Sequence, residues 1–522
     1  MTNFKKPNIL LIMTDQHRAD HTGFGGNGIV QTPNLDSIAA SGTVFDKAYV
    51  ANPICMPNRS SILTGIVPSA HGVRYNGLAL DPAFDTFVRT FRDAGYKTAL
   101  VGKSHLQNIG DAVEVIDRML GAAPKRDVWR ETAEPGWDGY ENEVLHRNER
   151  VEVPADFYGF DDVAFTVNHS DYCSGHYYQW LLERGVKPET IQGLKAAEAY
   201  SGNWQQLWKT STPEELYPTR YIADQTVARI EQYAAGEEPF LIQCSFPDPH
   251  HPFTPPGKYF DMYDPASIPL PETFDQDHSK SPLAFQQMLQ YRGKQSFIMA
   301  PFSPTPDQFR DMAAKEYGMI SMIDDAVGQV LGALKKAGVY DNTIIVFTSD
   351  HGDVFGDHGL MLKSMMHYDG VVRVPLVLAG PGIASSRTSS LASSLDIGKT
   401  LKKMAGLEAS FGEQGHDLSK ILVDPELKVR DHILIEEEQI FPDAETGGRI
   451  NMRSVITAKA RLTVRHGQPL LGELYDFERD PLETENRFEE TSASSLKNEM
   501  MENLVSLMIE HSTPTRKPRA MA

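Results

Sequence analysis

Short apolar runs that end in polar residues recur along the chain and predict buried strands. The first run, residues 8–13, lies between Pro7 and Asp15. Apolar residues at successive positions are typical of a strand that is buried on both faces, as in a parallel sheet. Later runs of the same kind predict further strands at residues 97–101, 240–246, 343–347 and 374–379.

Helical patterns separate these runs. Thr32 and Pro33 precede a segment that ends at Gly42, which is the arrangement of a helix cap, a first-turn proline and a terminal glycine. Residues 85–95 likewise begin with a cap, Asp85-Thr86, and end at Gly95, and the apolar residues of 313–337 recur with the spacing of one helix face. The alternation predicts an α/β fold: a large, mostly parallel sheet flanked by helices.

The pattern changes after about residue 422. Short strands are predicted at 432–437, 454–457 and 461–465, followed by a helix near 495–510. We therefore predict a catalytic domain at 1–422 and a C-terminal subdomain at 423–522 with a small antiparallel sheet, a terminal helix and a tail. Aperiodic segments near 122–215 and 265–306 are predicted to be insertions over the active face, where specificity often lies.

Composition narrows the possible classes of function. The 522 residues are 41% hydrophobic and 23% charged, as in ordinary globular proteins, and the formal net charge is −20. This charge disfavours nucleic-acid binding but leaves room for a local basic pocket. The N-terminal apolar run is too short for a signal sequence or a membrane span, and three cysteines cannot build a disulfide framework. These features predict a cytoplasmic protein that binds neither nucleic acid nor membrane.

Polar side chains follow several of the predicted strands. Asp15 and Gln16 follow the first strand, Asp350 and His351 follow 343–347, and a Pro/His-rich stretch follows 240–246. Ligands of open α/β sheets bind beyond the carboxyl ends of the strands. Each acidic residue alone is more simply a turn cap. Together, two carboxylates, an imidazole and an amide predict one divalent metal site.

A second polar cluster surrounds Cys55. Pro57 and Asn58 predict a helix N-terminus, where a thiolate or another anionic group is favoured. Arg59 adds a fork of donors suited to a tetrahedral oxyanion. A buried structural cysteine is the alternative, and it is our interpretation of the other two cysteines.

The segment C-M-P-N-R, residues 55–59, resembles the C-x-P-x-R signature of type I sulfatases in the alkaline phosphatase superfamily. The resemblance covers about residues 7–487 and extends to phosphonate monoester hydrolases and choline-sulfatase-like enzymes. Its further motifs occur in matching order: N-I-L-L-I-M-T-D-Q, V-G-K-S-H, P-H-H-P-F, T-S-D-H-G-D and G-E-L-Y-D-F-E-R-D-P-L-E-T-E-N.

The resemblance implies a metal centre. Its ligands would be Asp15, Gln16, Asp350 and His351, together with Cys55 after a formylglycine-generating enzyme has oxidised it. Gln16 stands where many members carry an aspartate. Phosphonate monoester hydrolases and choline-sulfatase-like enzymes resemble this chain in its Asp-Gln arrangement. Calcium is the usual metal of sulfatases, whereas imidazole and fewer carboxylates lean toward Mn²⁺, so both ions are retained.

The resemblance also implies catalytic roles. Arg59 would stabilise the modified residue. Lys103 and His105 would bind the sulfate and orient the nucleophile. His250 would protonate the leaving oxygen, and Lys363 would be a second substrate lysine. For Lys103, a solvated charge at a strand end is the alternative, although its i, i+2 spacing to His105 suits a shared ligand.

Three weaker candidates for the substrate pocket are Tyr75, Asn76 and His367; Asn76 precedes a glycine and is first a turn signal. The function implied is hydrolysis of aryl or small alkyl sulfate esters. Hydrolysis of phosphonate monoesters or phosphodiesters at the same site is the alternative, and a non-catalytic metal-binding relative is a third. Relatives of the phosphonate type also suggest a homo-oligomer.

Overall fold

A computed structural model of the chain describes residues 6–110, 134–200, 202–442 and 447–512, together with residues 445 and 517. The beginning of the first predicted insertion, residues 122–133, and nearly all of the predicted tail lie outside the described residues. No helix within the described ranges is both long and apolar enough to cross a membrane.

The large sheet has eight strands in the spatial order β4-β3-β5-β1-β6-β7-β2-β8. Of these, β7 alone is antiparallel to its neighbours, which confirms a mostly parallel sheet. The strands are β1 (Asn8–Thr14), β2 (Gly42–Tyr49), β3 (Lys97–Gly102), β4 (Asp162–Phe165), β5 (Phe240–Ser245), β6 (Thr343–Ser349), β7 (Leu376–Ala379) and β8 (Ser386–Ser393).

Helices lie on both faces of this sheet. The α-helices of the described residues are α1 (Pro33–Ser41), α2 (Cys55–Thr64), α3 (Pro68–His71), α4 (Phe87–Asp93), α5 (Glu143–Asn148), α6 (His176–Glu183), α7 (Pro218–Ala234), α8 (Leu283–Gln290), α9 (Pro306–Lys336), α10 (Asp369–Val372), α11 (Asp396–Met404) and α12 (Ser494–Glu510).

Strand β1 shows why the predicted strands are apolar throughout. Ile9 and Leu11 pack into one hydrophobic cluster, with residues of α4 and α11. Leu10 and Ile12 pack into another, with residues of α7 and α9. Because side chains alternate between the faces of a strand, a strand covered on both sides needs an apolar residue at every position.

Four parts of the sheet differ from the prediction, and one of them is β8, which was not predicted. Gly42 ends α1, as predicted, but it also begins β2, a strand that was not predicted because its polar, half-buried Asp46 and Lys47 interrupt the apolar pattern. The strand predicted at 374–379 begins only at Leu376 and runs antiparallel. The segment 122–215, predicted to be an insertion over the active face, also supplies β4, the edge strand beside β3.

The C-terminal residues form the predicted antiparallel sheet, with the order β12-β11-β10-β9. One face packs on α12, and the other joins a cluster that includes Tyr368 and Val371 of the preceding residues. The 422/423 domain boundary stays a prediction. The strands are β9 (His432–Pro442), β10 (Arg449–Thr457), β11 (Ala460–Arg465) and β12 (Leu471–Asp476).

A buried ion triad joins two strands of this sheet to Glu483, which follows β12. Arg461 Nε donates to Glu483 Oε1 at 2.6 Å, and Arg461 Nη1 lies 3.4 Å from Glu473 Oε2. We predict that Arg461→Ala lowers the free energy of unfolding by about 3–5 kcal/mol, because it leaves two buried carboxylates uncompensated. Thermal and denaturant unfolding measure the change.

The matched control is Lys336→Ala, which removes a cation from an exposed pair with Glu231. Exposed pairs contribute little to stability, so this variant should unfold like the wild type. Equal free energies of unfolding for Arg461→Ala and Lys336→Ala would contradict the predicted role of the triad.

Candidate active site

The carboxyl ends of four neighbouring strands meet at one edge of the large sheet. Strands β3, β5, β1 and β6 are consecutive and parallel, so the residues that follow them lie close together. This register assembles most of the candidate residues predicted from the sequence: Asp15, Gln16, Lys103, His105, His250, Asp350 and His351.

Cys55 is the first residue of α2 and is buried at the centre of this group. Its Sγ lies 3.1 Å from His351 Nε2 and 3.4 Å from Lys363 Nζ. Burial and Asp15 would raise the pKa of the thiol, but Lys363 and His351 help to bring that pKa below its ordinary value. A cysteine among cations at a helix N-terminus is placed for chemistry rather than for packing.

The side chains fit a divalent cation. Donor atoms of Asp15, Cys55, Asp350 and His351 all lie within 4.8 Å of one another. His351 Nδ1 is 2.9 Å from the carbonyl oxygen of Gly352, so a proton on Nδ1 leaves the Nε2 lone pair facing the cluster. Two carboxylates and an imidazole form a donor set that such an ion accepts.

Gln16 is oriented by a residue that the sequence reasoning missed. Its Nε2 donates to Asp353 Oδ2 at 2.7 Å, while its Oε1 lies 3.0 Å from Lys363 Nζ. Asp353 Oδ1 in turn accepts backbone N–H groups of Phe355 and Leu362, and burial raises the pKa of Asp353 to about 6. Asp353 thereby directs the amide oxygen of Gln16 into the cluster; the signal was the second aspartate of T-S-D-H-G-D.

Two cations neutralise the buried carboxylates. Arg59 Nε donates to Asp350 Oδ2 at 2.6 Å, and Arg59 Nη2 lies 3.3 Å from Asp15 Oδ2. The Lys103 ammonium also contacts Asp15. Burial would raise the pKa of Asp15, but Lys103 and Arg59 hold it well below its usual range. Asp15 therefore stays ionised inside the protein.

Two of the predicted catalytic histidines are buried. The backbone N–H of His105 donates to Glu141 Oε2 at 2.6 Å, where His105 adopts a positive φ of 56°. His250 Nδ1 lies 2.6 Å from the carbonyl oxygen of His251. Among the described residues, neither His105 Nδ1 nor His250 Nε2 has a hydrogen-bond partner. A buried ring nitrogen without a partner is available to a substrate.

His169 is a second residue that the sequence reasoning missed. It follows β4, and its Nε2 lies 2.6 Å from Lys103 Nζ. Its ring stacks on that of His250, with 3.8 Å between the centroids. Residues 122–215 carry no periodic pattern or motif around it, so only the tertiary fold reveals its place.

The three weaker candidates for the substrate pocket, Tyr75, Asn76 and His367, occupy different environments. Asn76 Oδ1 accepts the backbone N–H of Met56 at 3.1 Å, which places this exposed residue beside Cys55. Tyr75 is half-buried, and its contribution to the pocket stays a prediction.

His367 has a structural position instead of a place in the pocket. Its ring nitrogens lie 2.6 Å from Ser454 Oγ and 3.0 Å from Glu437 Oε2. Glu437 also accepts the backbone N–H of Met365. His367 and Glu437 therefore tie the loop that carries Lys363 to the C-terminal sheet.

The fold has close counterparts among solved structures. The crystal structure of the phosphonate monoester hydrolase of Agrobacterium radiobacter superposes with a TM-score of 0.74 at 24% identity, covering 97% of this chain and 96% of that chain. The chain therefore shares the overall fold of this hydrolase.

Sequence relatives narrow the assignment. Residues 7–407 match the Sulfatase family model, and residues 356–510 match the model described as N-sulphoglucosamine sulphohydrolase, C-terminal. An arylsulfatase of Clostridium perfringens is 29% identical over 496 residues, covering 92% of this chain and 90% of that protein. A choline-sulfatase of Rhizobium meliloti is 28% identical over 404 residues, covering 77% and 68%. The chain belongs to the sulfatase family and is a sulfuric ester hydrolase.

Proposed function

We propose that this protein hydrolyses sulfate monoesters of phenols or small alcohols, with a formylglycine derived from Cys55 as the nucleophile. The observation that carries the proposal is the setting of Cys55, which is buried close to Arg59, Lys103 and Lys363. Three cations around one nucleophilic position suit an anionic tetrahedral substrate. A separate formylglycine-generating enzyme would act on Cys55 beforehand.

The metal site suits one divalent cation, held by Asp15, Gln16, Asp350 and His351 with the modified residue 55. Such an ion supplies positive charge that lowers the pKa of a hydroxyl at position 55 and stabilises the oxygens of the substrate. Oxygen donors favour Ca²⁺, and the imidazole favours Mn²⁺.

The residues around position 55 then have distinct roles. One hydroxyl of the hydrated aldehyde loses its proton to solvent, the resulting oxygen attacks sulfur, and the bond from sulfur to the leaving oxygen breaks as that oxygen takes up a proton. Lys103, Lys363 and Arg59 neutralise the charge that spreads over the other sulfate oxygens. His105 accepts the proton of the second hydroxyl, after which the carbon–oxygen bond to sulfate breaks and the aldehyde returns.

His250 is the proposed proton donor to the leaving oxygen. Burial and His169 hold its pKa well below the ordinary value in the free site. A bound ester places a negative charge nearby and so raises that pKa again, because the protonated imidazole is then stabilised. Substrate binding thus produces the acid form where the leaving group needs it.

The alternative is hydrolysis of phosphonate monoesters or phosphodiesters by the same site. The Asp-Gln pair and His351 resemble that subset, and the fold matches such a hydrolase. Lys103 and His105 favour sulfate instead. A sulfate ester presents three terminal oxygens, whereas a phosphonate ester replaces one with an organic group that these polar side chains cannot satisfy.

We also propose a domain boundary, a cellular location and an oligomeric state. The division into domains at residues 422/423 accounts for two separate sheets. A cytoplasmic location is supported by three buried cysteines, Cys55, Cys173 and Cys244, that form no disulfide. A homo-oligomer is proposed from the phosphonate hydrolase resemblance alone.

We predict that the modified enzyme prefers an aryl sulfate to the matching aryl phosphonate monoester by at least about tenfold in kcat/KM, because only the sulfate presents a third terminal oxygen to the free donor of Lys103. Steady-state kinetics with one leaving group shared by both esters measure the ratio. Lys103→Ala should reduce sulfate turnover more than phosphonate turnover. A wild-type preference for the phosphonate, or an equal loss for both esters, would favour the alternative.

We predict that Asp353→Asn weakens metal binding by about 10- to 100-fold. An asparagine that keeps its two backbone hydrogen bonds presents an NH₂ group to Gln16, which turns the amide oxygen of Gln16 away from the cluster. Titration of the metal-free protein with Mn²⁺ and with Ca²⁺ measures the affinity.

The control for this variant is Asp324→Asn. Asp324 is also buried, with a pKa raised by burial to about 6, but it accepts hydrogen bonds at the start of α1. Its replacement should leave metal affinity unchanged. Equal affinities of the wild type and Asp353→Asn would remove Gln16 from the ligand set.

A further inference from the structure

His169 is a buried histidine that touches two groups of the proposed mechanism. Its Nε2 lies 2.6 Å from Lys103 Nζ, and its ring stacks on His250 at an angle of 16° between the planes. The same nitrogen is 3.9 Å from Asp15 Oδ2. His169 is therefore packed between the proposed sulfate-binding lysine and the proposed acid.

The backbone around His169 is held in an uncommon conformation. Asn168 and Ser170, on either side, have positive φ angles of 75° and 51°. Asn168 Nδ2 donates to Glu143 Oε2 at 3.0 Å, and Ser170 Oγ donates to the carbonyl oxygen of His250 at 3.0 Å. Such strain persists where the surroundings impose it, and it is concentrated at functional sites.

Hydrogen bonding selects the tautomer of His169. Its Nδ1 lies 3.2 Å from Asn168 Oδ1, so the proton on Nδ1 is donated to that oxygen. Nε2 then carries a lone pair, which accepts a hydrogen bond from the Lys103 ammonium. Of the three donors of Lys103, one goes to Asp15 and one to His169, and the third remains for a substrate oxygen.

We propose that His169 is a positioning residue for sulfate transfer. It holds the Lys103 ammonium in place as an acceptor, and it fixes the ring plane of His250 by stacking. This inference rests on the proposed function, because both partners take their roles from it.

The ring nitrogens of His169 and His250 could instead be ligands of a metal ion. Donor atoms of Asp15, His169 and His250 lie within 4.8 Å of one another and could hold a metal ion. The Lys103 ammonium contacts two of these three residues, and its charge would repel a cation placed among them. The geometry therefore favours positioning, and a second metal ion becomes an outcome of the test.

Two substitutions separate the contacts of His169. His169→Phe keeps an aromatic ring against His250 but removes the acceptor for Lys103. His169→Asn keeps an acceptor but removes the ring. The control is His176→Asn, which alters another buried histidine of the same segment; its ring nitrogens lie near the backbone of Val151 and Phe165.

Three measurements are made on the wild type and on each variant. The kinetics use fully modified protein, and sulfate binding uses the Cys55→Ala background. The first is kcat/KM for a nitrophenyl sulfate, which needs little protonation of its leaving group, and for an alkyl sulfate, which needs it strongly. The second is binding of inorganic sulfate to the Cys55→Ala protein by calorimetry. The third is the number of metal ions bound per chain.

We expect His169→Phe to lower kcat/KM by about 10- to 100-fold for both esters and to weaken sulfate binding, because Lys103 is displaced. We expect His169→Asn to lower kcat/KM about 100-fold for the alkyl ester and only a few-fold for the nitrophenyl ester, because proton transfer is impaired. His176→Asn should leave the ratio between the esters unchanged.

Two results would overturn the inference: unchanged kinetics and sulfate binding in both His169 variants, or two metal ions in the wild type with one lost in His169→Asn. Absence of turnover by the wild type on every ester would contradict the proposed function instead. The sulfate-binding measurement would still decide whether His169 positions Lys103.

Discussion

The site depends on one buried carboxylate, Asp15, at the end of the central strand β1. It is fully excluded from solvent, and it stays ionised because Lys103 and Arg59 contact it from two sides. Burying an unpaired carboxylate would cost several kcal/mol, so the strand, the helix of Cys55 and the strand of Lys103 must come together for any of these charges to be tolerated. The ion pairs and the parallel register of β3, β5, β1 and β6 thus require one another.

This arrangement explains how an acidic protein can accept an anionic ester. The chain carries a formal charge of −20, yet the groups around Cys55 include three cations, Arg59, Lys103 and Lys363, and two carboxylates, Asp15 and Asp350. A divalent ion would add to this local excess of positive charge. The positive charge that an anionic ester needs is therefore local to the site, within a chain whose net charge is negative.

The sequence predicted those parts of the molecule that follow from local patterns. Apolar runs gave the central strands, and the polar residues just after them gave Asp15, Asp350 and His351. Glu141 and His169 escaped notice because their roles arise only from contacts across the fold, whereas Asp353 was overlooked although it lies in the motif T-S-D-H-G-D. His367 shows the converse error: proximity in sequence to Lys363 suggested the pocket, whereas its ring turns to Glu437 and Ser454.

The central claim is that Cys55 becomes the nucleophile only after conversion to formylglycine. The most direct measurement is mass spectrometry of the tryptic peptide that contains residues 55–59, taken from active protein made in its own host. The account predicts an aldehyde or its hydrate at position 55 in proportion to activity. An unmodified thiol in fully active protein would contradict it.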